Sequence, residues 1–312
     1  VKTIAYAILL NIIIFSVATA KNIEVKLFND PHAQALEMEK NLDFFIKAAQ
    51  AGDKNAEYNV AGYYYFVPNN NKDKPKALKM IRKLAEEGHP EPQFGLSMIY
   101  LSDKNVQKDL QEGIKWLQKS ADQGISEAEL YIGLLKYRGI WGIKKDVNQA
   151  IKWLEKAANK GLLDAQSNLA IVYENEKNYE KAAKWYLKAA EKGHVEAQVR
   201  IGKFYYEGIG VSKNIKEAIK WFEKAAEQKN SYAQYNLGII YLENDNKIKS
   251  LEYMRQAADQ GHSEAEFVMG KFYFEGKVVS KDYNEAKRWF EKGDLKRFSP
   301  AQEALQIVNR VL

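Results

Sequence analysis

Seven times between residues 52 and 296 the chain restarts one pattern. The restarts fall at Gly52, Gly88, Gly124, Gly161, Gly193, Lys229 and Gly261, spaced by 36, 36, 37, 32, 36 and 32 residues. Four residues on stands an alanine, as in Ala56, Ala128 and Ala197, with Pro92 in the second unit. Nine on stands a small residue such as Ala61, Ser97 or Gly202, and twelve on a tyrosine, with Tyr137 one place late in the third unit. A period of this length signals stacked supersecondary units, each too small to bury its own apolar face.

Each unit holds two helical patterns. In the first, Ala197, Ile201, Phe204, Tyr205 and Gly208 of the fifth unit share one stripe at 100° per residue. The small residue nine places on lets a neighbouring helix approach closely. The second helix reads A-x-x-W-x-x-x-A-A, as in Ala150, Trp153, Ala157 and Ala158, or Ala218, Trp221, Ala225 and Ala226. Its indole is expected to fill the space left opposite the small residue, with lysine and glutamate on the other face. The glycine that opens the next unit then ends this helix as a left-handed C′ residue.

Between the two helices of the fifth unit lies EGIGVSKN, residues 207–214. Gly208 and Gly210 lack the Walker spacing, and a helical pattern rather than a strand precedes them, so a phosphate loop is not the reading. They belong to an interhelical turn, with Gly139 and Gly276 in the place of Gly208 in the third and seventh units.

The run Ala197-Gln198, Gly202, Tyr205-Tyr206, Gly208, Gly210-Val211, Ala218, Trp221, Ala225-Ala226 resembles the Sel1-like repeat, a relative of the tetratricopeptide repeat. Repeats are placed at 52–87, 88–123, 124–160, 161–192, 193–228, 229–260 and 261–296, about 245 residues in all. The second departs by Pro92 and by missing loop glycines, and the fourth and sixth use shorter turns. What the resemblance implies is an all-α protein, a right-handed α/α superhelix (solenoid) of helical hairpins. Half-units cap it: 36–51, with Phe44 where tryptophan normally sits and Ala48-Ala49 as the paired alanines, and 297–312, with Ala301 and Leu305.

The first twenty residues stand apart. An apolar stretch from Ile4 to Phe15, interrupted by Tyr6 and Asn11, precedes Ala18-Thr19-Ala20, the pattern of a signal peptide with an A-x-A cleavage site. It is shorter than the ~20 apolar residues a membrane span requires. Valine at position 1 fits a non-ATG bacterial start codon. The expectation is export to the periplasm or beyond the cell without stable membrane insertion after cleavage, residues 21–35 being a poorly ordered lead-in. Of 312 residues none is cysteine, which excludes disulfides, thiolate metal sites, thiol nucleophiles and a lipoprotein anchor. The net charge of +6 comes from lysines interleaved with glutamates, a solvated helix face and not a nucleic-acid footprint.

Little chemistry is legible. His89, His194 and His262 each follow a unit-opening glycine, a turn position, and units stepping by about 10 Å cannot bring them to one metal. Glu127 with Glu129, and Glu264 with Glu266, flank the alanine where glutamine stands elsewhere, an architectural place. Some cysteine-rich proteins with this repeat are linked to penicillin binding and β-lactam hydrolysis. This chain has no cysteine and no S-x-x-K, so an envelope enzyme of the β-lactamase or peptidoglycan-acting class is the alternative and a non-enzymatic chain without cofactor the reading.

The side of the first helix opposite its core stripe is apolar where a surface helix is normally polar. Six places on stand Tyr58, Phe94, Tyr235 and Phe267; thirteen on stand Tyr65, Tyr206 and Phe274, with Tyr137 in the third unit; Lys203 and Lys271 stand ten on. By analogy with tetratricopeptide proteins these ten residues line the concave groove and hold a protein or peptide partner. The competing readings are that neighbouring helices bury most of the strip, or that it serves self-association.

Overall fold

The computed structural model describes residues 42–66, 73–102, 109–295 and 299–312. The expected signal peptide, the lead-in and residues 36–41 lie outside them, as does the start of the last half-unit, 297–298. Sixteen α-helices and no strand occur among the described residues: α1 (42–50), α2 (Lys54–Phe66), α3 (Lys74–Glu86), α4 (Pro90–Ser102), α5 (Leu110–Asp122), α6 (Ser126–Arg138), α7 (Val147–Asn159), α8 (Leu163–Asn175), α9 (Tyr179–Glu191), α10 (Val195–Glu207), α11 (Ile215–Glu227), α12 (Ser231–Glu243), α13 (Lys247–Asp259), α14 (Ser263–Glu275), α15 (Tyr283–Leu295) and α16 (Ser299–Val311). Even-numbered helices are the first of each pair and odd-numbered ones the second. The chain forms two compact units, residues up to 165 and from 166 onward, where the sequence reading treats 36–312 as one array.

The second helices end just past the paired alanines in a shared backbone motif. At the α9 end, the Gly193 N–H donates to the Ala190 carbonyl (3.0 Å) and the His194 N–H to that of Ala189 (3.1 Å). The same two bonds close α5, α7, α11 and α13, a Schellman motif that satisfies carbonyls otherwise left bare. It requires a left-handed residue, and Gly193 has φ +90°. Lys229 holds that place in the sixth unit with φ +61°. The starts are capped as well: Asp109, Asp146, Asn178, Asn214 and Asn246 each accept a backbone N–H three residues on, worth ~1 kcal/mol per cap.

Close packing rests on the small residue nine places on, but its partner is not the tryptophan. A Cβ on Gly202 would lie 2.9 Å from Phe222 Cε1, one on Gly133 2.8 Å from Leu154 Cγ, and one on Gly238 2.8 Å from Met254 Cγ. The residue after the tryptophan position fills the gap, and Leu117, Leu154, Tyr186, Phe222 and Met254 are each fully buried. The indole turns 100° away to lie beneath the lysine three residues on. Lys119, Lys156, Lys188, Lys224 and Lys292 stand 3.9–4.4 Å from the ring centroids of Trp116, Trp153, Trp185, Trp221 and Trp289.

The terminal half-units behave unequally. Phe44 is 69% exposed and does not act as the buried tryptophans do. In α16, Ala301 and Val308 are fully buried, and Leu305 packs on the Phe290 cluster. Gln306, nine places on in this half-unit, is exposed, as are Ile307 and Val311.

Candidate functional site

The EGIGVSKN turn closes on itself. Gly208 caps α10 in the left-handed region (φ +78°), the Asn214 N–H donates to the Tyr205 carbonyl at 2.8 Å, and the Asn214 side chain accepts the Glu217 N–H in the first turn of α11. Those donors are therefore spent inside the protein. Gly210 (φ +64°) lies so close to the Tyr179 carbonyl at the start of α9 that no side chain fits there.

The histidines and carboxylates take structural places. His194 Nδ1 accepts the Ala197 N–H at 3.1 Å, an N-cap bond. In four of the repeats the residue five places after the restart is buried and polar, and its partner lies at the end of the same hairpin. Gln93 accepts from Gln123 (2.8 Å), Gln198 from Gln228 (2.9 Å) and Gln234 from Gln260 (2.5 Å). In the third unit the pair is charged: Lys160 Nζ donates to Glu129 Oε1 at 2.8 Å and to the Gly124 carbonyl at 2.7 Å. Here one partner is acidic and the other basic, so Glu129 is a hairpin clasp. Among the described residues no three His, Asp or Glu side chains are grouped so as to hold a metal ion.

The apolar strip behaves differently in the two units. In the first, Tyr65 (3% exposed) and Phe94 (6%) belong to the interior, a correction to their expected place in an open groove. Phe94 stacks on Tyr131 of the next first helix, with ring centroids 6.1 Å apart, because consecutive first helices lie side by side. Tyr58 is half-buried with its hydroxyl over Gly95, and burial pushes its pKa up to about 12. Tyr137 is half-buried beside Lys145.

In the second unit Tyr206, Tyr235, Phe267 and Phe274 are half-buried, while Lys203 and Lys271 are exposed. Tyr206 donates its hydroxyl to both carboxylate oxygens of Glu243, on the next first helix, at 2.9 and 2.8 Å. Its pKa is pushed up to about 12, chiefly by partial burial and then by that bond. Tyr235 stacks on His262 at 4.8 Å, and Phe267 and Phe274 contact Phe290 and Tyr283 of α15. Lys203 and Lys271 pair with Glu207 and Glu275, each at 3.8 Å. The structure adds Tyr232 (36% exposed) and Glu243 to this face. A signal for the latter is in the sequence: glutamate follows the aromatic or aliphatic residue thirteen places on in three successive units, at Glu207, Glu243 and Glu275. No described helix is long and apolar enough to cross a membrane.

Comparison with known proteins now places the chain. The Sel1 repeat pattern matches residues 54–89, 93–125, 126–162, 163–194, 195–230, 231–262 and 263–293. No curated protein matches in sequence. Among solved structures, a protective antigen present in uropathogenic Escherichia coli strains, displaying an SLR fold, is similar at 30% identity and TM-score 0.77 over 86% of this chain; the chain spans 60% of the antigen's length. A Sel1 repeat protein from Oxalobacter formigenes is similar at 27% identity and TM-score 0.69, covering 95% of this chain and 88% of that one. With seven matched repeats over most of its length, and with the hairpin geometry that those repeats encode, this chain belongs to the Sel1 repeat family.

Proposed function

We propose that the chain is a non-enzymatic scaffold, exported from a bacterial cell, that holds a protein or peptide partner on the face presented by its first helices. Sel1 repeat proteins commonly serve as scaffolds for protein–protein interaction. The observation that carries the reading is the aromatic face of the second unit, where half-exposed rings are linked from one first helix to the next, as by the Tyr206–Glu243 bonds. Partly exposed tyrosine is well suited to such a surface, since it gives apolar area and a polar tip for little rotamer entropy. The N-terminal stretch that reads as a signal peptide supports export, and the likeness to a protective antigen is in keeping with it.

The test is a crosslinking pull-down from envelope extracts with the chain from Lys21 onward. Tyr206→Ala combined with Tyr232→Ala should lose the partner that the unaltered chain retains, while the far-UV melting curve stays within a few degrees. Retention of the same partner by the double variant would overturn the site. Turnover of nitrocefin, or covalent labelling by a fluorescent penicillin, would overturn the non-enzymatic reading.

A further inference from the structure

We propose that the occupant of this face is a cationic polypeptide segment, one that carries lysine or arginine between aliphatic or aromatic side chains. The inference rests on the first-helix face being the docking surface and adds the chemistry of what docks there.

The face carries aromatic rings on successive first helices. Tyr206 on α10 reaches Glu243 on α12, and His262 at the start of α14 sits between Tyr232 and Tyr235 of α12, with ring centroids 4.6 and 4.8 Å away. These contacts link neighbouring first helices at opposite ends of α12, Tyr206 at its last residue and His262 at its first turn. Ring faces and hydroxyls of this kind attract cations as well as apolar groups.

Its charge runs against that of the chain as a whole. The sequence carries +6, yet on this face three of the cations are paired to glutamates, and Lys213 lies over the Tyr206 ring, 5.6 Å from its centroid. Arg200 lies 3.7 Å from Glu174 and 3.5 Å from Glu196, Lys203 is paired to Glu207, and Lys271 to Glu275. Glu243 and Glu264 have no lysine or arginine partner among the described residues. Glu243 is exposed and accepts from Tyr206; the Glu264 carboxylate is 49% exposed and lies 3.2 Å from His262 Nδ1. Two carboxylates beside partly open rings leave a negative, aromatic surface whose complement is positive and apolar. A second copy of this chain fits less well, because its second helices present lysines interleaved with glutamates, and Lys224 and Lys292 already lie over their own tryptophans. Exposed charge pairs contribute little affinity each but set partner choice and capture rate. The rings are thus the source of affinity and Glu243 and Glu264 the source of selectivity.

The experiment selects random 12-residue displayed peptides on the immobilised full chain, then measures binding of the recovered peptides by fluorescence polarisation. The expected result is enrichment in lysine or arginine with aliphatic or aromatic residues, binding weakened at least tenfold by Glu243→Lys with Glu264→Lys, and similar weakening when salt rises from 50 to about 500 mM. Neutral or acidic peptides whose binding is lost in Tyr206→Ala/Tyr232→Ala would overturn the charge inference and leave the docking face standing. Cationic peptides indifferent to the two glutamate reversals would overturn the site, and no enrichment at all would overturn both readings. Self-association of the chain in the ultracentrifuge, abolished by the glutamate reversals, would assign the face to a second copy instead.

Discussion

Two glycines placed mid-helix permit one substitution with opposite outcomes. Replacing glycine by alanine inside a helix ordinarily stabilises by ~0.5–1 kcal/mol, because the unfolded chain loses freedom. Gly62 in α2 has nothing within 4 Å of where a Cβ would sit, so Gly62→Ala should show that full gain. Gly202 in α10 would place its Cβ 2.9, 3.0 and 3.2 Å from three atoms of the Phe222 ring, which is 0% exposed and has no open side to turn into. Overpacking of this kind costs ~1–3 kcal/mol, which outweighs the gain in helix propensity and leaves a net loss of ~1–2 kcal/mol. Urea unfolding followed by circular dichroism at 222 nm measures both. A Phe222→Leu background should remove at least ~1 kcal/mol of the Gly202→Ala penalty, since the two side chains share one space. Equal stabilisation by the two alanines, or an unchanged penalty with leucine at 222, would refute the interlock of small and large residues within each hairpin.

Further outcomes follow from other contacts. Lys229→Gly should raise stability by ~1 kcal/mol in the same urea assay, because Lys229 holds a left-handed conformation (φ +61°) that costs an L-residue about that much. Lys160→Gln should cost ~2 kcal/mol, the usual cost of stranding a buried carboxylate discounted for the part-exposed lysine, and adding Glu129→Gln should restore most of it by recreating the Gln93–Gln123 type of clasp. The alkaline limb of stability is set by tyrosines. Tyr58 and Tyr206 have folded-state pKa values near 12 against an ordinary 10, so the folded chain keeps protons that the unfolded chain releases; stability is complete below pH 10 and declines from there to about pH 12. Tyr206→Phe should make that decline shallower in a pH series of thermal melts.

Much of the fold is legible from local pattern. The period, the paired alanines before the C′ glycine and the asparagine or aspartate caps each encode a feature that forms within one hairpin, and each restates itself in nearly every unit. What escaped is non-local. Trp221 and Phe222 are adjacent, apolar and 100° apart, so periodicity alone does not say which of them meets Gly202. The glutamine clasps join residues 26 or 30 apart, and only the paired change to Glu129 and Lys160 hints at them. The candidate groove was half legible for the same reason. Phe94 and Tyr65 stand on the expected side of their helices, yet neighbouring helices cover them, and a helical wheel carries no information about its neighbours. Tyr206, Tyr235, Phe267 and Phe274 stay half-exposed in the second unit.

The proposed recognition face is tested most directly by placing a photocrosslinking amino acid at one position on each side of a hairpin and exposing the protein to envelope extract. Tyr232, 36% exposed on the first-helix face, should capture the partner when replaced by benzoylphenylalanine. Ile248, 82% exposed on the second helix α13, should not. Capture at 248 with none at 232 would contradict the account.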